Sequence, residues 1–199
     1  MMVDVYISAI DKNEAIGEIA NGIRKAEIAK ISNERVKREK YCVWKLLCHA
    51  LEKSFGLDAK NLDFIKLDCG AWVVEGAEIS ISHSDDAIAV AVSTVPVGID
   101  IERVHKPRSN RMAEFVMNER ELDLFNSLPE TEKEARLIEI WTTKEAIFKT
   151  KKASNFLPKE IGIDSYPTKT LNLCINCEKY ICTVAGQGVE GARVFIEIE

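Results

Sequence analysis

The sequence predicts an α+β fold, and three features of its pattern support this. Segments with apolar residues at helical spacing, the longest at 34–55, lie beside short segments with the two-residue period of β-strands. The strand-like segments at 79–83, 87–92 and 97–101 are joined by links of hairpin length, which favours antiparallel pairing. Repeated βαβ units are not seen. Helices beside antiparallel hairpins are typical of the α+β class.

The three central strands are expected to form an antiparallel meander. In a meander the first and third strands run in the same direction and end at the same edge of the sheet. The end of the first strand carries His83, and the third carries Asp100 and Glu102. We therefore expect His83 to lie near the acidic pair.

The rest of the chain supplies two helices and a second group of strands. Apolar residues at helical spacing predict helices at about 112–128 and 132–151. Segments 171–175, 179–184 and 193–198 are separated by turns rich in Asn and Gly, which predicts a second meander.

Composition and charge limit the class of protein. The chain has 199 residues, of which 46% are hydrophobic and 30% charged, as in ordinary globular proteins. With 27 Lys and Arg against 32 Asp and Glu, the net charge is −5. A protein that binds nucleic acid through the phosphate backbone would need an excess of basic residues, so we expect no nucleic-acid partner.

Localisation and cysteine chemistry follow from the absence of other signals. The N-terminal sequence lacks a secretory pattern, and no apolar run approaches the roughly 20 residues that span a bilayer. We expect a cytoplasmic protein with no membrane partner, whose six cysteines are reduced thiols. Cys174 and Cys177 have the spacing of half a zinc site, but no second ligand pair of suitable spacing accompanies them.

Acidic side chains form the first candidate site. Asp100 and Glu102 are two positions apart on a strand and so share one face, where like charges repel unless a cation or solvent lies between them. Trp141, Glu145 and Lys149 share one stripe of a helix. If Glu145 joins the pair, three carboxylates would require a hard divalent cation such as Mg²⁺, or a strongly raised pKa. The alternatives are a solvent-facing strand and a surface ion pair between Glu145 and Lys149.

Three segments resemble the signature motifs of Sfp-type 4'-phosphopantetheinyl transferases. They are Val-Gly-Ile-Asp-Ile-Glu at 97–102, Trp-Thr-Thr-Lys-Glu-Ala-Ile-Phe-Lys at 141–149, and Ser-Ile-Ser-His-Ser at 80–84, where Ser80 stands in the place of a common Asn. Their order and spacing also agree. The resemblance implies the 4'-phosphopantetheinyl transferase fold, with two similar α+β halves related by a pseudo-twofold and the active site between them. The halves would be 1–95 and 96–199, the second carrying the metal-binding motifs, in a monomer.

The resemblance also implies a function. Such enzymes transfer the 4'-phosphopantetheine arm of coenzyme A to a serine of an apo acyl or peptidyl carrier protein and release 3',5'-ADP. The carrier serves fatty acid, polyketide or nonribosomal peptide biosynthesis. Asp100, Glu102 and Glu145 would hold Mg²⁺. Glu145 would also accept the serine proton, directly or through water, and Lys149 would reach the phosphates.

Further residues are expected to bind coenzyme A. The resemblance assigns Ser82 and His83 to its 3'-phosphoadenosine end, and Arg35 and Arg38 match a basic segment of the family. A structural histidine and a solvated helix face are the alternatives. The chain departs from the family in three further places: the segment after Arg38 is shortened, Gly-Ala-Trp at 70–72 replaces the usual Gly-Lys-Pro, and Lys-Lys-Ala-Ser at 151–154 replaces a Gly-rich step.

A basic segment follows the acidic pair. Arg103, Lys106, Arg108 and Arg111 occur with no acid among them. We expect this segment to face an acidic carrier protein, since such a patch speeds encounter; an ordinary solvated loop is the alternative.

Two other classes of function stay open. One is a catalytically silent relative that binds coenzyme A or carrier protein without transfer. The other is an unrelated Mg²⁺-dependent nucleotide enzyme, which would need a phosphate-binding loop such as Gly-x-x-x-x-Gly-Lys-Ser/Thr, and the sequence has none.

Overall fold

The computed structural model describes residues 1–105 and 111–197, which form an α+β structure. This confirms the predicted class. The described helices are α1 (Gly22–Ala29), α2 (Glu34–Phe55), α3 (Arg111–Val116), α4 (Glu119–Asn126) and α5 (Glu130–Lys149). The strands are β1 (Val3–Ala9), β2 (Ile65–Lys66), β3 (Trp72–Val73), β4 (Glu78–Ser84), β5 (Ala87–Ser93), β6 (Val97–Arg103), β7 (Thr168–Ile175), β8 (Glu178–Gly186) and β9 (Arg193–Glu197).

The first sheet has the strand order β4-β5-β1-β9 and carries α2 on one face. Alternation along its strands sends Val90 and Val92 toward α2, and Ala89 and Ala91 to the opposite face. The helix is the one predicted at 34–55. It is capped by the Asn33 side chain, and it ends where the chain turns at Gly56 with a left-handed φ of 67°.

The second sheet has the order β6-β8-β7 and stacks on the other face of the first. Val97, Ile99 and Ile101 of β6 point into the core between the sheets, and α5 packs on the outer face. The layers therefore run α2, first sheet, second sheet, α5. The acidic positions of β6 alternate with its core positions, so they lie on the side of α5.

The strand segments were predicted correctly, but both meanders were wrong. β6 does not join β4 and β5; it leaves the hairpin and pairs with β8 in the second sheet. The edge of β5 that does not pair with β4 pairs with β1 instead. At the other end of the chain, β7 and β8 form the expected hairpin, but β9 pairs in parallel with β1. The division at 95/96 stays a prediction, and β9 shares a sheet with the first strand.

The single helix predicted at 112–128 was also wrong, because the chain forms α3 and α4 in its place. Asn118 interrupts it by starting a new helix: its side chain accepts from the Glu121 backbone N–H, and the Glu121 side chain accepts from the Asn118 N–H. Such a capping box satisfies backbone donors that a continuous helix would have used internally.

Two further sequence expectations concern cysteine and membrane segments. All six cysteines are free thiols, with Cys42 and Cys182 buried and Cys174 and Cys177 exposed. Within residues 1–105 and 111–197, none of the helices combines the length and apolar character that a membrane crossing needs.

Candidate active site

Strand β6 brings Asp100 and Glu102 to the face that looks toward α5. Asp100 is only 4% exposed and Glu102 is half-buried. The strand is an edge of the second sheet, since it has β8 on one side only. The alternative of a solvent-facing strand is therefore wrong for Asp100.

Helix α5 approaches β6 closely enough to bring Glu145 and Lys149 to the same place. The approach depends on Gly98, because a Cβ there would overlap the carbonyl oxygen of Ala146 and lie 3.0 Å from the Thr150 nitrogen. Glycine is thus the residue that lets the backbones of the strand and the helix pack directly together.

Lys149 is bound to the acidic strand. Its Nζ donates to Asp100 Oδ1 at 2.7 Å, to the Ile99 carbonyl oxygen at 3.1 Å and to Ser82 Oγ at 3.3 Å. An ammonium group has three donors, so all are in use. The alternative of a surface pair between Glu145 and Lys149 is not observed, because Lys149 pairs with Asp100.

Strand β4 lies along the free edge of β6 and supplies hydroxyl groups. Ser82 Oγ donates to Asp100 Oδ1 at 2.8 Å, and Ser84 Oγ donates to Glu102 Oε2 at 2.6 Å. Charge-assisted bonds of this kind are stronger than those between neutral groups. One oxygen of each carboxylate is thereby held from the neighbouring sheet.

The three carboxylates affect each other electrostatically. Burial raises the pKa of Glu145, the negative charges of Asp100 and Glu102 raise it further, and Lys149 opposes them. Burial also raises the pKa of Glu102, and the bond from Ser84 offsets part of this effect. Repulsion among these carboxylates favours either a bound cation or a proton.

The second oxygen of Asp100 is a separate sign of an incomplete site. Asp100 Oδ2 is buried and has no hydrogen-bond partner among the described residues, and such atoms are rare and costly. In the same part of the chain, however, no three His, Cys, Asp or Glu side chains are arranged to hold a metal ion. The three acids therefore lie near each other, but they do not form a preassembled site of three ligands.

A cleft of about 280 Å³ opens beside these residues. Glu145 and Lys149 line one wall, and the segment Cys69–Trp72 lines another together with residues of β4. Lys152 also reaches this cleft, and its Nζ pairs with Glu78 Oε2 at 2.6 Å. Two of the segments that depart from the family pattern, 70–72 and 151–154, therefore line the same cleft, and Lys152 contributes a cation to its lining.

His83 lies on the other side of β4 from the serines. Its side chain is exposed, and partial desolvation lowers its pKa. Glu39 and Lys40 of α2 are the charges that act on it most strongly. His83 was expected to lie near the acidic pair, and its neighbours Ser82 and Ser84 do bond to Asp100 and Glu102, but its own side chain faces α2.

Arg35 and Arg38 lie at the start of α2, near the β4–β5 turn. Arg35 pairs with Glu39 at 3.0 Å and lies 3.5 Å from Asp85, whereas Arg38 Nε donates to the carbonyl oxygen of Glu14 at 3.1 Å. Both line a cavity of about 530 Å³ together with Arg103. The structure brings these cations together near the β4–β5 turn, where Glu39, Asp85 and Asp86 line the same cavity.

Part of the basic segment lies outside the described residues. This holds for Lys106 and Arg108, so their placement is not described. Arg103 pairs with Asp85 at 2.8 Å and lies 3.7 Å from Glu178. Arg111 begins α3.

Lys144 is a residue of the helical motif whose role the sequence did not reveal. It is fully buried, and its Nζ donates to Glu121 Oε2 at 2.5 Å, to the Val116 carbonyl oxygen at 2.9 Å and to the Pro158 carbonyl oxygen at 3.0 Å. The residue therefore joins α5 to α4 and to the segment at 158. Its neighbour Trp141 packs edge-to-face on Phe156 with ring centroids 5.6 Å apart.

Comparison with known proteins shows what the motif-bearing part of the chain is similar to. Residues 96–185, which contain β6, α5 and β8, match the 4'-phosphopantetheinyl transferase superfamily. This segment, somewhat under half of the chain, is therefore similar to that superfamily, and the resemblance predicted from the motifs is confirmed as a likeness. The α+β layers described above are consistent with its fold.

Two relatives are informative. The chain is 32% identical to the 4'-phosphopantetheinyl transferase gsp of Aneurinibacillus migulanus over 114 residues, which cover 56% of this chain and 48% of the relative. It is also 32% identical to the 4'-phosphopantetheinyl transferase psf-1 of Bacillus pumilus over 107 residues, covering 52% of this chain and 46% of the relative. The chain thus matches about half the length of each.

Proposed function

We propose that this chain transfers the 4'-phosphopantetheine arm of coenzyme A to the serine hydroxyl of an apo acyl or peptidyl carrier protein. The observation that carries the proposal is the meeting of Asp100 and Glu102 with Glu145 and Lys149 beside one cleft. This meeting lies within the segment that matches the superfamily. Both relatives are named as 4'-phosphopantetheinyl transferases.

The acidic residues suit Mg²⁺ as a cofactor. Carboxylate oxygens are the ligands that this hard cation prefers. The buried, unpartnered Asp100 Oδ2 and the mutually repelling charges of Glu102 and Glu145 fit a cation at this place. Asp100, Glu102 and Glu145 would hold the ion, which when bound neutralises phosphate charge and stabilises the leaving group.

The chemical step is a phosphoryl transfer. The carrier serine oxygen attacks the phosphorus next to the pantetheine arm, a new P–O bond forms, and the P–O bond to 3',5'-ADP breaks. Glu145 accepts the serine proton, directly or through water. Burial and the charge of Asp100 raise the pKa of Glu145, and a cation bound at the same carboxylate would act in the opposite direction.

Lys149 is hydrogen-bonded to Asp100, and it could bind a phosphate after exchanging one of its present hydrogen-bond acceptors for a phosphate oxygen. Its three donors are engaged in the structure, so contact with a phosphate oxygen requires it to release one acceptor. The bond to Ser82 Oγ is the longest of the three, at 3.3 Å, so it is the one that we expect Lys149 to release. Lys149 would then bridge Asp100 and the substrate.

Coenzyme A would extend from the cleft toward the start of α2. Ser82 and His83 would bind the 3'-phosphoadenosine end, and Arg35 and Arg38 would contribute cations. The hydroxyl of Ser82 donates to Asp100 and accepts from the Ile101 N–H and from Lys149, so a contact with the substrate would use the lone pair that Lys149 releases.

The carrier protein would dock near the basic segment that follows β6. Reversing Arg108 and Arg111 to Glu should raise the apparent carrier-protein KM and flatten its dependence on salt concentration, since both residues would steer an acidic partner. Unchanged kinetics would reject this docking site. The carrier would belong to fatty acid, polyketide or nonribosomal peptide biosynthesis, and the enzyme would act as a cytoplasmic monomer with halves at 1–95 and 96–199.

Mass spectrometry tests the function directly. The purified protein is incubated with coenzyme A, Mg²⁺ and several apo carrier proteins, and the added phosphopantetheine mass is measured on the carrier. Chelation and Glu145→Gln should each abolish the product, whereas Glu139→Gln on the same helix should not, because Glu139 pairs with Arg136. Transfer that survives both treatments would refute the proposed site. Binding of coenzyme A without transfer would indicate a catalytically silent relative.

A further inference from the structure

Three serines at alternate positions of β4 connect the two sheets. Ser80 Oγ accepts from the Ile99 backbone N–H at 3.0 Å, and Ser82 Oγ accepts from the Ile101 N–H at 3.4 Å. Ser84 Oγ continues the series by accepting from the Arg103 N–H at 3.3 Å. These N–H groups lie at the free edge of β6, where no backbone partner is available, so serine hydroxyls replace the carbonyls of a missing strand.

Two of the three hydroxyls also donate to a carboxylate, and Ser82 accepts from Lys149 as well. A hydroxyl that accepts an N–H keeps its own proton free to donate. Ser82 donates that proton to Asp100 at 2.8 Å, and Ser84 donates to Glu102 at 2.6 Å. Ser80 makes no bond to a carboxylate among the described residues.

These bonds fix which oxygens of the carboxylates remain available. In Asp100, Oδ1 takes the protons of Ser82 and Lys149, so the buried and unpartnered Oδ2 is left over. In Glu102, Oε2 is bound by Ser84. The serines therefore orient each carboxylate and are themselves anchored by the β6 backbone, which keeps both groups in register.

We propose that Ser82 and Ser84 are positioning residues that hold Asp100 and Glu102 in the orientation needed for a divalent cation. The inference rests on the proposed function, since it assumes that these acids bind the ion. Partners of this kind raise affinity because the ligands need not be ordered when the ion binds. The role is separate from any contact that Ser82 makes with coenzyme A.

Ser80 provides the matched control. It lies on the same strand face and makes the same bridge to β6, but it orients no ligand. Ser80→Ala, Ser82→Ala and Ser84→Ala each remove one bridge between the sheets. A purely structural role predicts the same effect for all three, whereas the positioning role separates Ser80 from the other two.

The test measures Mn²⁺ binding to the full chain by electron paramagnetic resonance, without and then with coenzyme A, and compares it with thermal unfolding. We expect Ser82→Ala and Ser84→Ala to weaken Mn²⁺ binding by about 10–100-fold. Ser80→Ala should leave the affinity within about threefold while lowering Tm to a similar degree. Ser82→Thr and Ser84→Thr retain the hydroxyl and should restore much of the affinity, and they replace any alanine variant that fails to fold.

Two results would overturn the proposal in distinguishable ways. If the unmodified protein binds Mn²⁺ and all three alanine variants bind it equally well, the positioning role fails and the metal site stands. If the unmodified protein binds no Mn²⁺ under either condition, the metal role in the proposed function fails as well.

Discussion

Lys144 lies beside Glu145 in the helical motif, but the structure gives it a role in stability. Its ammonium group is fully buried, and its partner Glu121 is 7% exposed. Lys144→Met keeps the length of the side chain and removes the charge. The change leaves a buried carboxylate without its cation and two carbonyl oxygens, at Val116 and Pro158, without this donor.

The expected loss is large. Breaking a buried ion pair from one side costs about 3–5 kcal/mol, because the remaining charge is uncompensated. For a chain of 199 residues, each kcal/mol lowers Tm by about 2–4 °C, so the expected fall is about 6–20 °C. Glu121 keeps its bond from the Asn118 N–H at 3.0 Å, so the capping box limits the damage.

Two further variants make the measurement specific, with stability followed by urea unfolding and calorimetry. Adding Glu121→Gln to Lys144→Met removes the stranded charge and should recover a large part of the loss, because an amide oxygen can still accept from Asn118. Lys133→Met is the control on the same helix, since Lys133 pairs with an 86% exposed Glu130 and should cost less than about 1 kcal/mol. If Lys144→Met unfolds like the control, or abolishes transfer while leaving stability intact, the structural role of Lys144 is refuted.

Three other predictions concern packing and charge. Gly98→Ala should destabilise the fold by at least about 1–3 kcal/mol in urea unfolding and displace α5, because its Cβ would overlap the carbonyl oxygen of Ala146; a wild-type unfolding curve would contradict this. Glu145→Gln should raise Tm at neutral pH without divalent cations, since the raised pKa of Glu145 means that its charge opposes folding; a lower Tm would refute the repulsion. Arg193→Met should lower Tm at neutral pH, because Arg193 binds both oxygens of buried Asp4 at 2.7 and 2.6 Å. Burial would raise the pKa of Asp4, but the hydrogen bonds from Arg193 and Ser54 outweigh burial, so the pKa in the folded state is lowered. The resulting stabilisation is present above the ordinary Asp pKa of about 3.9 and is lost as the pH falls through the lower pKa of the folded state. The Tm difference between the variant and the unmodified protein should therefore narrow in acid, and a constant difference would contradict the linkage.

The local sequence pattern predicted where helices and strands form better than it predicted which strands pair with each other. The helix at 34–55 and the strand segments were found because periodicity is a property of neighbouring residues. The pairing of β6 with β8 and of β9 with β1 was missed, since it joins segments far apart in the chain and the short links at 84–86 and 93–96 indicated a meander. The break at Asn118 was visible as a capping signal and was overlooked in favour of the longer apolar pattern.

The site was predictable where its residues share one element. Asp100 and Glu102 on a strand, and Glu145 and Lys149 on a helix, follow from spacing alone. Their meeting was inferred from the resemblance, and Gly98 shows its physical basis. The meander placed His83 near the acidic pair but did not indicate its side-chain direction, which the alternation along β4 turns toward α2. The alternation of serines at 80, 82 and 84 was visible in the sequence. Its role in bonding to the β6 backbone could be recognised only once the structure placed β6 beside β4.

Strand β9 gives the first sheet a particular order of assembly. Its Arg193 binds Asp4 of β1 across 189 positions of the chain. During synthesis, β1 therefore emerges early and its outer edge stays open until residues through 197 have left the ribosome. An open strand edge can pair with other chains. The nascent protein thus depends on β9 to cover this strand edge, and we expect a tag or fusion placed directly after that strand to lower the folding yield.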